Sequence, residues 1–215
     1  NWNGLQIFPG GYHPYGVDVL PSHAQAHFGG KLEDGLIITL IDAWVLDAGS
    51  LSRANVACWA PVDHEPAPPG VTDFFHASGA TPLAMSRHGE HAYKQAGLKP
   101  LYVPHGCDTN LYQPVDRAEA RRDLGVPESA FMVGMVAANK GYPPRKGFSQ
   151  GIEAFARFRE FHDDALLYLH TETSGAVQGV NIPQLLAAHG VAQEAVVLCD
   201  QYRYRLGFPP EYMRA

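Results

Sequence analysis

Apolar and polar positions change their period along this chain. From Gly35 onward, short apolar runs bounded by Gly, Pro and Asp alternate with stretches whose apolar residues recur at helical spacing. That alternation predicts βα units forming a parallel sheet. Strands are expected over Leu36–Ile41, Val56–Pro61, Pro82–Ser86 and Leu101–Pro104. Between the last two a helix is expected, with Ser86 as N-cap and Gly97 closing it. The segment Val103-Pro-His-Gly-Cys-Asp-Thr-Asn-Leu-Tyr-Gln-Pro114 is rich in turn formers and lacks a clear period, so it reads as a crossing between domains. A helix follows, opened by Asp116 and Glu119 at capping-box spacing and ended by Gly125.

The alternation then restarts. A strand is expected over Phe131–Val136, a loop to Gly147, and a helix from Phe148 to about His162, with Phe148, Ile152, Phe155 and Phe158 as a bulky stripe. A strand at Ala165–Thr171, a helix at Ile182–His189, a strand at Ala195–Asp200 and the opening of another helix at Pro209-Pro210-Glu211 complete the series. This β-α-β-α-β order is half of a doubly wound sheet. The fold class is α/β.

Composition narrows the function classes. With 46% hydrophobic and 18% charged residues in 215, the chain has the profile of a soluble globular protein. A formal net charge of -6 argues against nucleic acid as the main partner, because phosphate-backbone binding needs a basic surface. Cys58, Cys107 and Cys199 lie far apart without a CxxC pair, which fits a reducing, cytoplasmic setting. The longest apolar run, Leu36 to Leu46, contains Asp42 and is too short to span a bilayer. Docking on lipid through surface patches is compatible with this composition but not indicated by it.

Eleven histidines raise the question of a metal. His23 and His27 have the i, i+4 spacing of a zinc helix, but Ala24 stands where a metalloprotease places Glu. His88 and His91 share a helix face in principle, yet no carboxylate or Cys completes either pair locally. No structural metal is expected. The phosphate loop of kinases, the nucleophile elbow of hydrolases and the dinucleotide fingerprint of dehydrogenases are absent from the sequence.

The chemistry-bearing stretch is Val133-Gly-Met-Val-Ala-Ala-Asn-Lys-Gly-Tyr-Pro-Pro-Arg-Lys-Gly147, a strand emptying into a loop that holds Lys140, Arg145 and Lys146. Those cations sit where a doubly wound fold binds ligands, beyond a strand's carboxyl end and before a helix N-terminus. Free N–H groups and the helix dipole favour an anion there, and the side chains add charge-assisted hydrogen bonds. A diphosphate fits that chemistry. A solvated loop whose basic residues serve solubility is the competing interpretation.

The stretch resembles the donor-binding loop of the retaining glycosyltransferases of family four, in which Gly-Arg, five further residues and Lys-Gly mark the two cations that hold the donor diphosphate. Counting back six from Lys146 reaches Lys140, so the spacing is kept, with Asn139-Lys140 in place of Gly-Arg. This exchange keeps the charge and loses the bidentate geometry of arginine. The run Thr81–Ser86 with Arg87-His88-Gly89, then Gly97 and Val103-Pro-His-Gly-Cys-Asp108, resembles the end of that family's first domain. Leu111-Tyr-Gln-Pro114 and Arg121-Arg122-Asp-Leu-Gly125 continue the match.

The resemblance implies two Rossmann-like domains of GT-B type, each only partly present. Residues 1–113 would be the C-terminal part of the acceptor-side domain, and 114–215 the first half of the nucleotide-sugar donor domain. It implies a hexosyltransferase moving a sugar from a nucleotide-diphosphate-sugar to an acceptor, with Lys140, Arg145, Lys146 and Gly147 binding the donor and no cofactor or metal required. Trp59-Ala-Pro-Val-Asp-His-Glu-Pro66 places His64 where that family has a histidine contacting the donor sugar from across the cleft, with Asp63 and Glu65 beside it. The family's glycine-rich loop and downstream Glu pair have no counterpart here. Sheet edges and apolar faces would then need a partner chain, another copy or further residues to cover them. A nucleotide-sugar epimerase of the same architecture and a non-catalytic binding or scaffold relative are the alternatives.

Overall fold

In the computed structural model, which describes residues 3–214, the chain forms two compact units, Asn1–Gly106 and Cys107–Ala215. The division falls inside the turn-rich crossing segment, earlier than the boundary expected between 113 and 114.

The first unit runs α1 (Leu20–His27), β1 (Leu36–Leu40), α2 (Ala48–Leu51), β2 (Asn55–Ala60), α3 (Pro69–Ser78), β3 (Thr81–Ala84), α4 (Arg87–Gln95) and β4 (Leu101–Tyr102). Its four strands are parallel in the order β1-β2-β3-β4. Ile37, Val56 and Cys58 meet Leu51 of α2, Val71, Phe74 and Phe75 of α3 and Tyr93 of α4 in one core. The local reasons for α3 are plain. Pro69 at the first turn presets the helical φ, Val71, Phe74 and Phe75 share the buried face, and Gly79 ends the helix at φ 69°. Ser86 caps α4 by accepting from the N–H of Gly89 at 3.0 Å.

Strand β1 alternates in burial, so Ile37 and Thr39 face the core while Leu36, Ile38 and Leu40 face outward. Parallel sheets are ordinarily covered on both faces. Here Leu36, Ile38, Leu40 and Leu101 are each more than half exposed, which leaves an open apolar face.

The second unit runs α5 (Arg117–Leu124), β5 (Phe131–Val136), α6 (Phe148–Arg159), β6 (Ala165–His170), α7 (Ile182–Ala188), β7 (Val196–Leu198) and α8 (Gln201–Leu206). Strands β5, β6 and β7 are parallel neighbours in that order. Phe148, Ile152 and Phe155 of α6 and Ile182 and Leu186 of α7 pack on Leu167 and Leu169, which fixes the face of the sheet against which α6 lies. Asp116 caps α5 through the Glu119 N–H at 2.9 Å, and Gly125 ends it at φ 69°. Arg121 donates to the carbonyls of Pro127 at 2.7 Å and Ala130 at 2.9 Å, tying that helix to the approach of β5.

The C-terminal end differs from the sequence expectation. Asp200, expected as the last residue of a strand, is the N-cap of α8 and accepts from the Arg203 N–H at 2.8 Å. Its short side chain satisfies a free donor at a helix start, so the strand stops at Leu198. The helix expected at Pro209 is a 3-10 turn over Pro210–Arg214. Among the described residues, no helix is long and apolar enough to cross a membrane.

Candidate functional site

Strand β5 ends at Val136, and the chain traverses residues 137–147 before α6 begins. Lys140, Arg145 and Lys146 are all exposed on this loop. Lys140 and Arg145 line one cavity of about 550 Å³ together with Gly141, Tyr142, Pro143, Val177 and Gln178. Lys146 is not part of that lining. Gly147 is the N-cap of α6 in left-handed conformation, φ 67°, with no side-chain cap bond. The first N–H groups of α6 therefore keep their donor capacity, and the dipole of this helix is positive at that end. Phe148, 1% exposed, anchors the same turn in the core.

What holds the loop in place is Asn139, which in the sequence alone stands out only as the residue in place of glycine. It is 4% exposed. Its Nδ2 donates to the carbonyls of Glu172 at 2.9 Å and Val180 at 2.7 Å, and its Oδ1 accepts from the Val180 N–H at 2.8 Å. The Gly141 N–H adds a bond to the Val177 carbonyl at 3.2 Å. The segment 172–180, which supplies Val177 and Gln178 to the opposite wall of the cavity, is thus bound to the cation loop. Within that segment the Glu172 carboxylate accepts from the N–H groups of Ser174 and Gly175, each at 2.8 Å, and from the Ser174 hydroxyl. Burial pushes the Glu172 pKa up, but these donors outweigh it and hold the group below the ordinary glutamate value. Gln178 sits at φ 59°, a left-handed backbone that non-glycine residues seldom adopt and that the surrounding contacts must enforce.

His64 lies in the first unit, in the loop between β2 and α3. Its side chain is exposed, and Nδ1 is 2.5 Å from Asp63 Oδ1, a contact that orients the ring. Glu65 is directed to another imidazole, that of His91 on α4, at 3.8 Å. The cation loop and His64 therefore belong to separate units.

The remaining histidines are engaged elsewhere. His23 and His27 do share α1, but His23 stacks on Phe8 at 4.7 Å and bonds the Pro9 carbonyl at 3.0 Å, while His27 meets Phe8 and Phe28 edge-on. His88 and His91 are both on α4. Among the described residues, no group of three or more His, Cys, Asp or Glu is placed to hold a metal. Cys58 and Cys199 are buried thiols and Cys107 is exposed, all unbridged.

The segment 172–180 is what sequence reasoning missed. Its partner in the loop is 33 and 41 residues away in sequence, and only Gly175 and Gly179 marked the stretch as irregular.

No protein-family model and no curated protein sequence matches this chain. Among solved structures it is similar to a glycosyltransferase from Rickettsia africae ESF-5, with 11% sequence identity and a TM-score of 0.55. The alignment covers 94% of this chain and 56% of that one, so the chain spans little more than half the length of that structure. At this identity the likeness concerns architecture. Two units with all-parallel sheets, matched over nearly the whole chain, give this protein an α/β, Rossmann-like fold that it shares with that structure.

Proposed function

We propose that this chain belongs to a retaining glycosyltransferase that binds a nucleotide-diphosphate-sugar donor through the loop between β5 and α6. The observation that carries the reading is the shared cavity of Lys140 and Arg145 at the carboxyl end of β5, next to the uncapped start of α6. Ligands of open α/β sheets sit at such strand ends, and an anion there meets backbone donors and fixed cations at once. Lys140 and Arg145 would take the two phosphates, with Lys146 and the N–H groups after Gly147 completing the anion shell. These groups supply the positive charge that a leaving diphosphate requires, so the reading assigns no role to a divalent metal. During transfer, the bond from the anomeric carbon to the diphosphate oxygen breaks. The acceptor hydroxyl bonds that carbon on the same face, and its proton leaves with the diphosphate. His64, oriented by Asp63, is the group we assign to the transferred sugar. The similarity in fold to a glycosyltransferase supports this choice over a dehydrogenase or hydrolase on a related architecture.

Calorimetric titration of UDP and of GDP into the protein tests the assignment. Removal of one charge-assisted contact predicts about tenfold weaker binding for each of Lys140→Ala, Arg145→Ala and Lys146→Ala. Unchanged affinity in all three variants would overturn it.

A further inference from the structure

Asn139 lies in the core of the loop system and not at its surface. Its single side chain satisfies both the N–H and the C=O of Val180, and adds a bond to the Glu172 carbonyl. A neighbouring strand would pair Val180 in the same way. The geometry admits little substitution on the other side of the contact. A methyl group on Gly179 would sit 2.5 Å from the Asn139 carbonyl oxygen and 2.7 Å from its Cγ, closer than real side chains tolerate. Gly175 is likewise crowded against the Gly179 carbonyl, so the wall is folded back on itself and then clamped. Lys140 follows Asn139 directly, and Val177 and Gln178 precede the clamped Val180 by three and two positions. The clamp therefore fixes the separation between the cation loop and the opposite wall of the cavity.

We infer that Asn139 is a positioning residue that sets the width of the anion cavity and thereby its preference for a diphosphate over a single phosphate. The inference rests on the reading of that cavity as a donor-diphosphate site. The physical reason is preorganisation. A diphosphate must meet two cations at one fixed spacing, and a loop free to move loses that fit through ordering entropy, whereas one phosphate needs only one cation. Glycine at position 139 would carry no side chain to make the clamp, so the asparagine is a feature of this chain's own loop.

The test uses inorganic pyrophosphate and orthophosphate as probes, with affinities measured by calorimetry on the wild-type protein and on Asn139→Ala, Gly179→Ala, Lys140→Ala and Arg145→Ala. Thermal melting and ellipticity monitor folding. Asn139→Ala is expected to weaken pyrophosphate about tenfold and orthophosphate much less, collapsing the ratio of the two affinities. Gly179→Ala keeps Asn139 and every charge, and is expected to lower the same ratio by forcing the clamp open, which keeps the inference testable should Asn139→Ala not fold. A ratio that stays at the wild-type value in the folded clamp variants, even with a lower melting temperature, would make the asparagine merely structural and overturn the inference. That outcome is distinct from failure of the site itself. If pyrophosphate does not bind the wild-type protein, or binds Lys140→Ala and Arg145→Ala unchanged, the donor-site reading falls and takes the inference with it.

Discussion

Replacing Phe148 with alanine tests how the cation loop is anchored and whether the two units stand independently. Phe148 is 1% exposed and packs with Ile152, Phe155, Leu167 and Leu169 at the start of α6. Truncating a buried phenylalanine to alanine costs about 3–5 kcal/mol, part lost transfer energy and part the cavity left behind. For a unit of this size in urea, an m-value of about 2 kcal/mol per M turns that loss into a midpoint about 2 M lower. The chain supplies its own reporters. Trp44 and Trp59 belong to the first unit and the second unit has no tryptophan, so the fluorescence change follows the first unit while far-ultraviolet ellipticity follows both. The two hydrophobic cores share no residue. Phe148→Ala is therefore expected to split the urea transition, with an early loss of part of the ellipticity and an unmoved tryptophan midpoint. A tryptophan midpoint that drops in step would show one cooperative block. An ellipticity curve identical to wild type would refute the packing assigned to Phe148.

Other consequences concern charge and the open face. The folded-state pKa of Glu172 lies below the ordinary value of 4.5, so its stabilisation is fully present above that value and is lost as pH falls through the folded pKa. Glu172→Gln should flatten the decline in urea midpoint between about pH 6 and about pH 3, and parallel curves for variant and wild type would refute the assignment. The exposed Leu36, Ile38, Leu40 and Leu101 should bind the dye ANS when these 215 residues are purified alone. Ile38→Asn should reduce that fluorescence with ellipticity unchanged, and equal fluorescence would place the dye elsewhere.

Local signals carried most of the fold. Strand β5 was legible to the residue because Phe131–Val136 is apolar and bounded by turn formers. Ser86, Asp116 and Gly125 act where the sequence placed them, since capping depends on only three or four neighbouring residues. Helix α3 was less visible than it deserved to be, although Pro69 and Gly79 bracket it with the expected helix punctuation. Helix α8 was hidden because Asp200 follows an apolar run and reads equally well as a strand end or as a cap. Of the site, the cations could be located by their spacing, but their division could not. Lys140 and Arg145 share a cavity whose other wall comes from residues 177 and 178, and Lys146 stands outside its lining. The Asn139 clamp depends on pairing across some forty residues, a relation that no local period encodes.

Donor binding at the loop between β5 and α6 is read most directly from the change in backbone amide NMR signals as UDP, and separately GDP, is added to the protein. The largest shifts are expected on Gly141, Val177, Gln178 and the first turn of α6 from Phe148 to Gln150, where the cavity wall and the uncapped N–H groups lie. Shifts confined to other parts of the second unit, or no change at saturating concentrations of either nucleotide, would contradict that assignment.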